Sequence, residues 1–181
     1  MKEFRLGRIT VQILRGDIVR VEAEVIVCPS NSYLHMRGGA AQAIRVAGGD
    51  GVEADARRQA PIDIGRVAVT SGGNLAARYV YHAPTMNDPV EVSNEANVRA
   101  AVRASLHRTR LDRVESIAFP GMGTGTGEVP LELAAKAVIE EIVHFSRQDT
   151  SLRRIALVAR SDRLESALLC AAEALGLISK D

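Results

Sequence analysis

Cysteine is scarce in this chain, tryptophan is missing altogether, and neither sign of charge dominates. Cys28 and Cys170 lie far apart with no CxxC spacing, which excludes a disulfide framework and gives no zinc signature. Cys28 closes an apolar run and reads as a small core residue rather than a nucleophile. The 23 basic and 22 acidic side chains leave a formal net charge of +1. The basic excess that marks general nucleic-acid binding is therefore absent, and no nucleic-acid partner is expected. Of the basic residues, 20 are Arg and 3 are Lys, a bias that reads as codon composition. No run approaches the ~20 apolar residues of a membrane span. The start MKEFRLGRIT lacks the apolar stretch of a signal peptide. The expectations are no membrane association and a cytoplasmic location. His35, His82, His107 and His144 show no metal-ligand spacing, so no metal is expected.

What the chain does have is a regular alternation. Its 181 residues suit one domain spanning 1–181, and a hydrophobic share of 46% is that of an ordinary globule. Ile9, Val11 and Ile13 alternate with polar residues, as in a half-buried strand at a sheet edge. Val25-Ile26-Val27-Cys28 is continuously apolar and short, which suits a strand buried on both faces. Helical patterns follow over about 40–47 and 51–60, the first stopped by Gly48-Gly49 and the second by Pro61. Strand patterns at 67–69 and 79–82 are separated by the turn residues SGGN. Ser93 is placed to cap a helix reaching about residue 110. A strand over 114–119, a helix entered at Pro130, a strand over 155–159 and a helix capped by Ser161 and ended by Gly176 complete the series. Strand–helix alternation throughout predicts an α/β fold: a three-layer α/β/α sandwich around a mixed, mostly parallel sheet.

In such sheets ligands bind beyond the carboxyl ends of the strands. Two glycine-containing loops follow strand patterns: PSNSYLHMRGG at 29–39 and FPGMGTGTGEVP at 119–130. The second holds four glycines in seven positions, 121–127. A loop of this kind ahead of a helix lets backbone N–H groups approach an anion where the helix dipole also favours it. It is neither GxxxxGK[ST] nor GxGxxG, because no Lys follows a glycine and the third glycine of the fingerprint is missing after both Gly123 and Gly125.

Taken together, LRGDIV at 14–19, VIVCPSNSYL at 25–34, GGAAQAI at 38–44, YVYHAP at 79–84 and SIAFPGMGTGTG at 116–127 resemble the macro domain family, in its motif order, from about residue 9 to 170. That family binds ADP-ribose. The resemblance implies that Asp17 accepts a hydrogen bond from the adenine amino group, with the Ile18 backbone beside it. It implies that Asn31 reaches the distal ribose and orients a water, the one catalytic role assigned. Gly38, Gly39 and Ala40 would pack against the distal ribose and diphosphate. Gly123, Thr124, Gly125, Thr126 and Gly127 would wrap the diphosphate with N–H groups. Arg160 stands near the adenine, where a guanidinium can stack on the base. Arg37 is placed to pair with a terminal phosphate or carboxylate, and His35 lies in the same loop.

The chain also departs from the family. Cys28 replaces the first Asn of the NAAN motif, and Pro29 and Ser30 replace its alanines. Met36 stands where some members have His, Ala41 where the fast hydrolases have Asp, and Gly127 where an aromatic is usual. The resemblance with these departures implies a module that binds ADP-ribose, free or on mono-ADP-ribosylated proteins, through the two glycine-rich loops. Hydrolysis at the distal ribose would be slow at most, and ADP-ribose would be a ligand with no cofactor involved. The alternative is a hydrolase: an ADP-ribose-1″-phosphate phosphatase or a mono-ADP-ribosyl-protein ester hydrolase.

Overall fold

The computed structural model describes residues 1–178. Strands β1 (Lys2–Leu6), β2 (Ile9–Arg15) and β3 (Val25–Asn31) lead into helices α1 (Gly39–Gly48) and α2 (Asp50–Arg57). Then come β4 (Ala68–Ser71), β5 (Tyr79–Met86), α3 (Glu95–Asp112), β6 (Ser116–Phe119), α4 (Leu131–Phe145), β7 (Arg154–Ala159) and α5 (Asp162–Ala174). The seven strands form one sheet in the order β1-β2-β7-β6-β3-β5-β4. From β2 to β5 every neighbouring pair is parallel, whereas β1 and β4 run antiparallel at the two edges. The fold is α/β with a mixed, mostly parallel sheet between two helical layers.

The run Val25–Cys28 shows why both faces need covering. Val25 and Val27 point into a core shared with α3, α4 and α5, while Ile26 and Cys28 point into a second core under α1 and α2. A strand with helices on either side has no polar face to offer, so its sequence is apolar without alternation. Burial pushes the Cys28 thiol up to about 12, with the Glu53 carboxylate adding to the effect. A thiol so hard to ionise is packing material, as its sequence context suggested.

Several boundaries differ from the sequence expectation. The Ile9–Ile13 strand is not an edge; β1 covers it, contributing only Phe4 to the buried interior. One buried apolar residue in five is too little alternation to announce a strand. The cap of α3 is Asn94, whose side chain accepts from the Asn97 amide at 2.9 Å. Ser93 instead donates its hydroxyl to the Thr85 carbonyl and its amide to Gly127. Helix α2 stops at Arg57, three residues short of the expected Ala60, and leaves through a tighter turn in which Gln59 donates to Ala56 O and Ala60 to Arg57 O. Helices α3 and α4 are joined by Arg103, which grips the buried Glu141 carboxylate with two bonds of 2.9 and 2.8 Å. Burial works to raise the Glu141 carboxyl, but the bonds from Arg103 and the charges of Arg103 and Arg99 outweigh it, so the net shift is downward.

His82, at the centre of β5, is fully buried, and its Nε2 lies 3.0 Å from the Thr70 hydroxyl. Burial lowers its pKa from 6.5 to about 4, so it is neutral in the folded protein at neutral pH. The unfolded chain then binds the extra proton between those two values. Stability from this group is complete above pH 6.5 and is lost as pH falls toward 4. Wild-type stability should drop by about 2 kcal/mol between pH 6.5 and 5, before most carboxylates titrate. Denaturant titrations across that interval check it: the slope should flatten in His82→Gln, and an equal slope in both proteins contradicts the assignment.

Candidate functional site

The carboxyl ends of the five parallel strands open into one cleft of about 610 Å³, a size common for small-molecule sites, roughly 300–1,000 Å³. Sheet order fixes the sequence of its walls. Asp17 and Ile18 follow β2, Arg160 follows β7, the 120–127 loop follows β6, Asn31 ends β3 with residues up to Ala41 after it, and Met86 ends β5 with Pro89 after it. The Asp17 end and the Asn31 end are three strand spacings apart, about 14 Å. The cleft is thus elongated, with the glycine loop at its middle.

That loop is tied down from behind. Val129 donates its amide to Gly123 O at 3.0 Å and Glu128 to Gly125 O at 3.0 Å. Among the described residues, the amides of residues 123–127 donate to no backbone carbonyl outside regular structure. Five successive N–H groups without a partner, in residues that line a cleft, are free to donate to an anion. The first-turn amides of α1, at Gly39, Ala40 and Ala41, add donors that no intrahelical carbonyl satisfies, and all three residues line the same cleft.

The glycines of the loop have different reasons to be glycine. A Cβ on Gly121 would meet Thr124 Oγ1 at 2.6 Å, and one on Gly127 would meet Gly123 O at 2.6 Å. Gly123 has φ +71° and would press on Val98 at 2.7 Å. Gly125 has neither constraint: its φ is ordinary, and nothing lies within 4 Å of an added Cβ. The fold explains three of the four glycines. Only Gly125 is left to be explained by what enters the cleft. The contact at Gly127 also accounts for the missing aromatic, since no side chain fits between the Gly123 carbonyl and Ser93.

All the residues singled out in the sequence line this cleft: Asp17, Ile18, Asn31, Arg37, Gly38, Gly39, Ala40, the 123–127 loop and Arg160. Asp17 is exposed and spends one oxygen on the Val19 amide at 3.3 Å, capping the short 3-10 turn Ile18–Arg20 and leaving the other oxygen free. Asn31 is more committed than its sequence suggests. Its amide oxygen accepts from the Tyr33 and His35 amides, and its Nδ2 donates to His35 O at 3.3 Å. It pins its own turn and retains one N–H to offer, so it donates to a ligand but has no free lone pair to accept.

His35 lines the cleft with its Nδ1 buried and unpartnered, whereas Met36 is wholly inside the core against Cys28 and Ile44. Arg37 and Arg160 are exposed and make no ion pair among the described residues. Ser30, seen in the sequence only as a departure, is 5% exposed with its hydroxyl unpartnered in the cleft wall. Thr85, Met86 and Pro89 also escaped notice, because only the sheet order places the end of β5 beside β3. The cleft's one carboxylate, Asp17, is at the end away from Asn31, so His35 is the side chain near Asn31 that can accept a proton. No group of His, Cys, Asp and Glu among the described residues forms a metal cluster, and no helix there is long and apolar enough to cross a membrane.

Fold and cleft together describe an α/β protein with an elongated, amide-lined cleft across the ends of its parallel strands. Residues 27–138 match the Macro domain family model, and the chain belongs to that family. An uncharacterized protein of Aquifex aeolicus is 42% identical over 148 residues, covering 82% of this chain and 88% of that one. Among solved structures, the Oceanobacillus iheyensis macrodomain with MES bound superposes with a TM-score of 0.86 at 24% identity, covering 96% of both chains. A mutant of that macrodomain with ADPR gives 0.84 at 23% identity, covering 96% of this chain and 97% of that one.

Proposed function

We propose that this protein binds ADP-ribose, free or carried by a mono-ADP-ribosylated protein, along the cleft from Asp17 to Arg37. The observation that carries the reading is the row of unpartnered amides at 123–127 midway between Asp17 and Asn31. A diphosphate on those amides places an adenine toward Asp17 and Arg160, and a ribose toward Asn31, Gly38, Gly39 and Ala40. Asp17's free oxygen accepts from the adenine amino group, which can only donate. The Ile18 backbone lies beside the base, and Arg160 stacks on it. The bound ADPR in a macrodomain of the same fold supports the assignment.

Titration calorimetry with ADP-ribose, ADP and AMP is the test. ADP-ribose should bind with micromolar affinity, about −8 kcal/mol, and AMP much more weakly because it lacks the second phosphate. Asp17→Ala should cost about 1–3 kcal/mol, whereas Asp17→Asn, which keeps the cap on Val19, separates the turn from the base contact. No heat at millimolar ADP-ribose overturns the reading.

Hydrolysis at the distal ribose is the second reading, as a phosphatase of ADP-ribose-1″-phosphate or an ester hydrolase of mono-ADP-ribosylated proteins. It is supported by the unpartnered His35 Nδ1 and weakened by Ala41, which leaves no carboxylate in the cleft lining at that end. Asn31, with its oxygen already occupied, contributes there by donating one N–H and by holding the His35 turn. Turnover is therefore expected to be slow, without the full general acid–base contribution of roughly 10²–10⁴-fold.

A further inference from the structure

The wall of the cleft at its Asn31 end carries an apolar, acidic outer face, and we infer that this face docks a basic and apolar peptide segment of the protein that bears the ADP-ribosyl group. The inference deepens the ADP-ribose reading and rests on it. The wall is the segment between β5 and α3, residues 87–94. It is fixed at both ends to the two site loops: the Ser32 amide donates to Met86 O and Asn87 O, and the Ser93 amide donates to Gly127 O at 2.8 Å. Its Pro89 lines the cleft, so the wall's inner side belongs to the site.

Its outer side is unusual for a soluble surface. Val90 is 91% exposed, Val92 is 65% exposed, and Tyr33 on the bonded turn is 50% exposed. Val46, Leu111 and Leu133, also exposed, sit on three different helices, where a lone apolar side chain needs no explanation. At the Asn31 end, by contrast, three such side chains lie on two segments joined by the Ser32 amide and both represented in the cleft lining. The charges of the wall segment itself have one sign, although Arg37 stands across the cleft mouth from it. Residues 86–98 contain Asp88, Glu91 and Glu95 and no Lys, Arg or His. Glu95 is paired with Arg99, which leaves Asp88 and Glu91, with exposed Glu128 on the adjoining loop. A complementary partner brings apolar and cationic side chains together.

The third observation places that partner at this end. Beneath the wall, the Ser30 hydroxyl and His35 Nδ1 are buried without a partner in the cleft lining. A ligand that reaches this end can satisfy both groups. A ligand whose distal ribose lies there continues outward across Tyr33, Val90 and Val92. Free ADP-ribose has nothing to place on that surface, whereas the peptide around a modified side chain does.

The test uses the intact protein and synthetic peptides, each with one ADP-ribosyl group on a hydrolysis-resistant linkage, flanked by Leu and Lys, by Gly and Ser, or by Leu and Glu. The Leu/Lys peptide should bind about tenfold tighter than free ADP-ribose or the Leu/Glu peptide. The exposed-side variant Val90→Ser/Val92→Ser should lose that advantage while holding free ADP-ribose as wild type does, and Glu91→Lys should shift the preference to Leu/Glu. Three peptides of equal affinity, or an advantage that survives the double variant, overturn the docking surface and leave the nucleotide site standing. Failure of free ADP-ribose to bind wild type overturns both.

Discussion

Gly125→Val should abolish ADP-ribose binding while leaving the thermal midpoint where it is. The added side chain meets nothing in the empty protein, since no atom lies within 4 Å of a Cβ at this position and the backbone φ is one that any residue adopts. It meets the ligand instead, because Gly125 stands in the middle of the cleft wall among the unpartnered amides. An isopropyl group there holds a diphosphate off the N–H row, and charge-assisted hydrogen bonds do not survive that separation. The expected loss is about 100-fold or more, roughly 3 kcal/mol, read by calorimetry beside a melting curve. Wild-type affinity in a folded Gly125→Val protein means that the loop holds no phosphate.

Two residues along, a smaller change should do the opposite damage. Gly127→Ala adds a single methyl, yet its Cβ would sit 2.6 Å from Gly123 O and 2.9 Å from Ser93 Cβ. One obstacle is backbone, and the other is tied to Gly127 by its own amide hydrogen bond, so neither yields cheaply. Overpacking of this kind costs about 1–3 kcal/mol, which for a chain of this length lowers the midpoint by roughly 2–12 °C. Displacing the loop also pulls its amides out of line, so binding falls as well. The pair separates the two uses of glycine: a valine tolerated by the fold and refused by the ligand, and an alanine refused by the fold. A Gly127→Ala protein that melts with wild type shows that the 123–127 loop relaxes freely around the added methyl.

The cleft residues were legible in the sequence to different depths. Asp17 and the 123–127 glycines were legible as site candidates through the resemblance, whereas the cap that Asp17 places on the Val19 amide appears only in the folded turn. Asn31 was readable as a site residue, but its occupied oxygen was not: the Tyr33 and His35 amides reach it only because the turn folds back on itself. His35 and Met36 are neighbours in the chain with opposite fates, one lining the cleft and the other in the core. Outside helices and strands no periodicity says which way a side chain points. Ser93 looked like a helix cap and is a brace between β5 and the glycine loop, a role that needs both partners in place.

The sequence by itself determined the layers. Buried strands written as continuous apolar runs, and helices with one apolar stripe, force a parallel sheet covered on both faces, because burial is proportional to apolar area and each pattern has one way to bury it. It also determined that glycine-rich loops follow two of those strands. Only the tertiary structure decided the order of the strands, and with it the length of the cleft, the place of β5 beside β3, and the exposed face of the 87–94 wall. Those follow from pairings between strands far apart in the chain, such as Val25 of β3 with Ile117 of β6 and Thr10 of β2 with Arg154 of β7. Backbone hydrogen bonds are the same whichever strands pair, so local residue types carry no record of the choice.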